Sequence, residues 1–464
     1  MTGQLLDVRR GGVLLHLTSL PAGCLGREAF ELVDFLADAG ATVWQVLPLV
    51  PVHEDDPSPY NSLSSMAGNP GLIDEDQRAA FGMGSVAGLS DEQRAQYDAW
   101  CDQHADWLDP YVEFMALREL QGHTPWQEWP PGLRDREHAA VGAALGEHLD
   151  RVDALRLEQW VFDEQWRALR TYAQSRGVSI FGDVPIFVAP DSCDVWAARE
   201  LFQLDAEGKP VTVTGVPPDY FAADGQRWNN PHYDWDKMAQ DGYAWWRRRI
   251  ARQRELFDLV RIDHFRGFEA AWHVPVEAPT ARDGHWVKGP GRELLDLLVE
   301  EAGAGTLVAE DLGVITAEVE ALRTGAGLPG MKVLQFAFDG SSDNPHLPAQ
   351  HEEHSVVYTG THDNDTTLGW WASIDESTRA VVRSYLVDPS QPMPWALVRL
   401  ALASVARLVV VPAQDLLALG SESRMNTPGT AAGNWGWVAP EHAFDERLAG
   451  RLRQMLADAN RLER

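Results

Sequence analysis

The chain has 464 residues, of which 45% are hydrophobic and 23% charged, and a formal net charge of −30. That length suits one large domain with insertions or two to three average ones, and the apolar share supports a sizeable buried core. So acidic a surface repels nucleic acid and anionic membranes and favours a neutral substrate over a phosphorylated one.

The first twenty-odd residues contain Arg9-Arg10, a short apolar run and Cys24, a loose likeness to an export signal. His16, Thr18 and Ser19 interrupt the apolar part, and no run approaches the roughly 20 apolar residues that span a bilayer. Cys24, Cys101 and Cys193 are far apart and form no C-x-x-C pair. Neither a disulfide framework nor a zinc site is implied, and a reducing, cytoplasmic setting is expected.

Eight strand-like apolar runs follow in order: Gly12–His16, Val43–Leu47, Ser179–Val184, Leu259–Asp263, Leu307–Glu310, Lys332–Phe336, Ser355–Tyr358 and Leu408–Val411. Helical spacing predicts helices at Ala29–Ala39, Val152–Arg176, Gly291–Ala302 and Thr316–Arg323. Repeated strand-then-helix units predict a (β/α)8 TIM barrel. A bare barrel needs about 250 residues, so the surplus forms insertions in the βα loops at the catalytic face. One, over 50–165 after the second strand, reads as mainly helical. The other, over 190–245 after the third, is rich in Pro, Asp, Trp and Tyr and shows no strong period. With no repeat or flexible linker, 1–464 reads as a single catalytic unit.

Three runs end at acids: Val-Arg-Ile-Asp at 260–263, Val-Ala-Glu at 308–310 and Thr-His-Asp at 361–363. Acids leaving separate barrel strands can converge, as chemistry on a glycosidic bond requires. Arg261 and Asp263, two apart on a strand, share a face. The guanidinium either holds Asp263 ionised and lowers its pKa, as suits a nucleophile, or makes an ordinary structural pair. Glu310 follows small and apolar residues with no cation adjacent in sequence. That setting raises a carboxyl pKa and suits a general acid, although a loop hydrogen bond is the alternative. Asp311 is expected to point the opposite way. His362 with Asp363 could grip sugar hydroxyls; a metal reading with Asp365 has no recognised ligand spacing. Trp228, Trp370, Trp371, Trp435 and Trp437 lie among polar residues and read together as sugar-stacking platforms, although core packing is the usual fate of any one of them.

Longer motifs sharpen this. Gly-Val-Leu-Leu-His at 12–16, Trp-Gln-Val-Leu-Pro-Leu at 44–49, Ser-Pro-Tyr-Asn-Ser at 58–62, Gly-Asp-Val-Pro-Ile-Phe-Val at 182–188 and Gly-Val-Pro-Pro-Asp-Tyr-Phe at 215–221 precede the acids. Gly-Leu-Pro-Gly-Met-Lys-Val-Leu-Gln-Phe-Ala-Phe at 327–338, Arg-Met-Asn at 424–426 and Gly-Asn-Trp at 433–435 complete the set. In these motifs, over about residues 11–437, the chain resembles the amylomaltase or disproportionating-enzyme family, 4-α-glucanotransferases related to the α-amylases.

The resemblance implies that Asp263 is the nucleophile, Glu310 the acid/base and Asp363 the carboxylate that steadies the distorted sugar. It implies a donor-sugar pocket of Tyr60, Asp183, Arg261, His264 and His362, with Ser58, on the same loop as Tyr60, also binding substrate. It places Trp228 and Asn434 on the acceptor side, and Tyr220 and Phe221 on a loop covering the cleft. It further implies maltooligosaccharide and glucose as substrates, no metal or organic cofactor, and a monomer or weak homo-oligomer. Three rivals are a hydrolase on the same scaffold, a non-catalytic glucan-binding protein and a metal-dependent hydrolase, the last removed by activity unchanged by chelator. The chain departs from the family pattern at Asn229 (usually Gly), Ala222-Ala223-Asp224 (usually Ser-Glu-Thr), Val438 (usually Arg) and Ser64-Ser65-Met66 (usually Ser-Ala-Phe). None of these positions is one of the three acids.

Overall fold

In a computed structural model the chain is described over residues 5–80, 82–218, 223–430 and 432–462. Its strands, in chain order, are β1 (Arg10–Leu14), β2 (Val43–Gln45), β3 (Ser179–Pro185), β4 (Thr212–Val216), β5 (Gln226–Pro231) and β6 (Leu259–Asp263). They continue as β7 (Ala270–Pro275), β8 (His285–Lys288), β9 (Leu307–Ala309), β10 (Gly330–Val333), β11 (Ser355–Tyr358) and β12 (Leu408–Pro412). Eight of them form one sheet in the order β10-β11-β12-β1-β2-β3-β6-β9, all parallel. Each stave lies beside the next in the chain, and the pairing of β12 with β1 joins the last to the first. This is the TIM barrel that the apolar runs predict.

The ring closes between β9 and β10 by different means. Ala309 N–H donates to Pro329 O at 2.9 Å, and Asp311 reaches across to accept from Met331 N–H at 2.7 Å while pairing with Arg323 at 3.0 Å. Gly330 lies directly against the Asp311 carboxyl, where a Cβ would collide. Asp311 thus points away from the neighbouring Glu310 side chain, as strand alternation predicts.

Alternation also sorts the interior. Leu14, Val43, Phe181, Leu259, Val308, Met331, Val356 and Tyr358 fill the barrel, whereas Trp44, Ile180, Val260, Ile262 and Val357 face the surrounding helices. On β6 the inward residues run Leu259, Arg261, Asp263, and on β3 they run Phe181, Asp183. The interior therefore changes from apolar to charged toward the ends of the strands, and register sets Asp183 opposite Arg261.

The predicted helices appear at Arg27–Ala39, Leu149–Ser175, Arg292–Ala302 and Ala317–Gly325. The interval after β2 also carries a helix over Asp91–Leu120, opened by a reciprocal capping box between Ser90 and Gln93. Two glutamines on the 149–175 helix hold the cleft-side backbone: Gln159 bonds both Gly68 N–H and its carbonyl, and Gln165 does the same at Asp74. The stretch after β3 contains more order than its composition suggests. There, β4 and β5 join β7 and β8 in a second sheet, antiparallel, in the order β5-β4-β7-β8.

Opposite the acids, at the barrel floor, the buried Arg461 donates to the carbonyls of Leu402, Ser404, Ala406, Arg407 and Arg10 at 2.7–3.4 Å. Burial lowers its pKa to about 9, with Arg9 adding to the effect.

Candidate active site

Asp263 ends β6, and Glu310 follows the last residue of β9 directly. The two strands are hydrogen-bonded neighbours, so both carboxyls rise from adjacent staves. Between them, His264 adopts left-handed backbone, φ +52°. That conformation is uncommon for a residue with a Cβ and marks a position the surrounding structure enforces. It turns the His264 N–H onto Glu310 Oε2 at 2.7 Å, while Leu312 N–H donates to Oε1 at 2.8 Å.

Arg261 lies below them as a bridge. One guanidinium nitrogen donates to Asp183 Oδ2 and the other to Asp263 Oδ1, each at 2.6 Å. Tyr60 Oη donates to the same Asp183 Oδ2 at 2.6 Å. Tyr60 arrives on a loop shaped by nested turns: Asp56 accepts from Ser58 N–H, and Ser58 Oγ accepts from Tyr60 N–H. The phenol ring stacks on His362 with centroids 5.2 Å apart, and Trp435 packs on both rings. His362 approaches Asp363 Oδ1 at 3.4 Å. On the other side, Trp228 meets His264 edge-on at 4.7 Å.

Burial separates the two central acids. Glu310 is 8% exposed. Desolvation, then the Asp263 charge, raises its pKa to about 8, opposed first by the Arg261 charge and then by the Leu312 and His264 N–H groups. Asp263 keeps 27% side-chain exposure. Burial raises it to about 6, opposed first by Arg261 and helped by the charges of Asp183 and Asp363. This corrects the expectation that Arg261 leaves Asp263 below the ordinary range. The guanidinium does favour the ionised form, but burial and two further carboxylates outweigh it. The order is nevertheless the useful one: near neutrality the proton resides on Glu310, and Asp263 is ionised. Burial lowers the pKa of His362, and lowers His264 and His16 to about 3, so these rings are neutral.

Against this geometry stand the likenesses to known proteins. The model of glycoside hydrolase family 77, described as 4-alpha-glucanotransferase, matches residues 15–84 and 77–442. A 4-alpha-glucanotransferase of Thermus thermophilus is 47% identical over 98% of this chain and 99% of its own length. The chain belongs to the 4-alpha-glucanotransferase family. A chloroplastic/amyloplastic 4-alpha-glucanotransferase of Solanum tuberosum is 40% identical over 98% of this chain and 87% of its own. The solved amylomaltase of Streptococcus agalactiae, in complex with acarbose, superposes with a TM-score of 0.93 at 34% identity, covering 98% of this chain and all of that one.

Of the residues singled out in the sequence, Asp263, Glu310, Asp183, Arg261, His264, Tyr60, His362 and Trp228 converge in this one cleft. Asp363 lies beside His362, and Ser58 acts through the turn that carries Tyr60. Tyr220 and Phe221 lie outside the described residues. Asn434 uses its amide within its own loop, accepting from Thr427 N–H and donating to Thr430 O. Asn229, where the family usually has Gly, sits at φ +66°; Asn tolerates that conformation better than most residues. Two of the five tryptophans need correcting. Trp370 packs on Phe338, and Trp371 lies under Arg379 and Arg383, so both serve packing around the 367–385 helices. Trp437 does line a cavity with His16, His362 and Arg424. Asp365, part of the weak metal reading, is engaged by Ser421 Oγ and Thr366 N–H.

Three contributors escaped the sequence-based roles. His16, beyond the end of β1, faces His362. Arg424 donates to the Asp363 carbonyl, and Asn426 donates its amide to Asp363 Oδ1, both at 2.6 Å. The Arg-Met-Asn motif was visible as a motif, but its contact is some sixty residues away in the chain.

Proposed function

We propose that this chain moves a segment of an α-1,4-glucan onto the 4-hydroxyl of glucose or another glucan by a retaining double displacement. Glu310, protonated, gives its proton to the leaving glycosidic oxygen while Asp263 attacks the anomeric carbon and forms a glycosyl-enzyme ester. The shortened glucan leaves. An acceptor hydroxyl then gives its proton to Glu310 and attacks the ester carbon, which restores Asp263 and forms a new α-1,4 bond. Asp363, His362, Tyr60, Asp183 and Arg261 hold the donor sugar; Trp228 meets the acceptor.

The observation that supports this most directly is the division of roles between neighbouring staves: the more basic, more buried Glu310 beside the ionised, Arg261-bound Asp263. Incubation with maltotriose tests it. A ladder of shorter and longer glucans with free glucose is expected. Steady growth of reducing ends without a ladder selects the hydrolase instead, and no turnover selects a binding protein. The free, scattered cysteines and the family's substrates fit a cytoplasmic enzyme, and we take it as a monomer or weak homo-oligomer. Cell fractionation and sedimentation check both.

A further inference from the structure

Residues 424–430 and 432–435 are tied to the stabilising carboxylate, Asp363, at several points. Asn426 N–H donates to His362 O at 3.0 Å, and the Asn426 amide donates to Asp363 Oδ1 at 2.6 Å. Arg424 bonds the Asp363 carbonyl and also the Asn426 carbonyl, at 2.6 and 2.7 Å. The far end of the segment folds back: Trp435 N–H donates to Met425 O at 2.7 Å, and the Trp435 ring packs on Tyr60 and His362. Asn434 pins the two stalks together through Thr427. Among the described residues no donor reaches Asp363 Oδ2, and the side chain keeps 40% exposure toward the cleft.

We propose that Asn426 is a positioning residue for Asp363: its amide fixes Oδ1 and leaves Oδ2 turned to the sugar. The inference rests on the transferase reading. An unrestrained carboxylate can rotate about its terminal torsion, which is broad and roughly two-fold. A single charge-assisted hydrogen bond to one oxygen removes that freedom at low cost. The only donor that can do this without adding charge is an amide or hydroxyl, and Asn426 supplies it on a backbone already locked to His362. The arrangement also makes the orientation of Asp363 depend on the same segment that delivers Trp435 to the donor pocket.

Asn426→Ala and Asn426→Asp test this, with wild type alongside on maltotriose. Loss of the amide is expected to lower kcat by roughly 10- to 100-fold, the scale of a misplaced group in an active site. KM should change little and thermal midpoints stay near wild type. Asn426→Asp carries the diagnostic signature. Two carboxyls at hydrogen-bond distance share one proton, and at low pH that proton replaces the amide donor. The ratio of Asn426→Asp activity to wild-type activity should therefore rise as pH falls and decline as pH rises and the shared proton is lost. The other charged or titratable groups facing Asp363 are His362, Tyr60, Arg424 at its carbonyl, and Asp263; all are present in both proteins, so the ratio isolates the new carboxyl. Wild-type kcat in Asn426→Ala, or a flat ratio for Asn426→Asp, overturns the proposal. Failure of wild type itself to disproportionate maltotriose overturns the transferase reading instead.

Discussion

His264 donates its backbone N–H to Glu310 Oε2 at 2.7 Å, so the residue that follows the proposed nucleophile, Asp263, orients the proposed acid/base. One left-handed residue links two adjacent staves, and the separation of the reacting carboxyls depends on it. Removing the imidazole leaves this bond intact because the backbone makes it. Its loss would require a change in φ, which a neighbouring proline imposes. Phe265→Pro, which biases His264 to extended backbone and also removes a buried ring and the Phe265 N–H bond to Glu310 O, is expected to reduce kcat on maltotriose by at least 100-fold and to lower the thermal midpoint; His264→Ala should reduce kcat less. Steady-state kinetics compares them.

The pH profile follows from the two acids. Asp263 must be ionised, so kcat/KM climbs as pH rises through about 6; Glu310 must be protonated, so it falls as pH passes about 8. With an α-maltosyl fluoride donor, whose leaving group needs no proton, the alkaline limb of the glycosylation step should vanish. A profile with both limbs below pH 5 contradicts the assignment.

The same burial has a stability consequence. Glu310 is raised from an ordinary 4.5 to about 8, so between those values the folded state holds a proton that the unfolded chain releases. Stability therefore falls as pH rises across that window. Glu310→Gln removes the effect. Its thermal midpoint relative to wild type should increase from about pH 4.5 to about pH 8 and then level off. A difference that does not vary with pH refutes it.

Arg261→Met leaves Asp183 and Asp263 without their shared cation. Stripping one partner from a buried pair typically costs about 3–5 kcal/mol. Urea unfolding should show a loss of that order, together with loss of transfer. Arg261→Lys should recover only part of both, because an ammonium cannot present the flat fork that reaches two carboxylates.

Asn229 offers a backbone test at φ +66°. Asn229→Gly should keep stability and product profile near wild type, whereas Asn229→Val should lose about 1–2 kcal/mol and widen the spread of product lengths. Product chromatography and thermal melts read the two.

The barrel was legible because each stave is a short apolar run that ends where polarity begins, and because Leu259, Arg261 and Asp263 announce one inward face. The second sheet was not, since β5 (Gln-Arg-Trp-Asn-Asn-Pro), largely half-buried, and β8 (His-Trp-Val-Lys), largely exposed, are edge strands with little apolar alternation, and a register shift interrupts the β4–β5 ladder. Asp263 was misjudged electrostatically because adjacency in sequence reveals Arg261 but hides Asp183, Asp363 and the depth of burial. Trp370 and Trp371 were misplaced for a related reason: polar neighbours along the chain say little about one indole packed on Phe338 and another covered by Arg379 and Arg383 of the following helix. Asn426 was visible within the Arg-Met-Asn motif, but its role was not, since its partner Asp363 lies 63 residues away, beyond the end of β11.

The seam between β9 and β10 is held by a backbone bond at Ala309 and by the Asp311 side chain rather than by a ladder. It is therefore the stave joint with the fewest shared amides, and it lies just beneath Glu310. Transient opening is cheapest where backbone pairing is sparse, so amide protons at Ala309 and Met331 should exchange with deuterium sooner than those of β1 or β12. A glucan bridging the acids would clasp this joint from above and slow that exchange, turning the wall of the barrel into a reporter of occupancy.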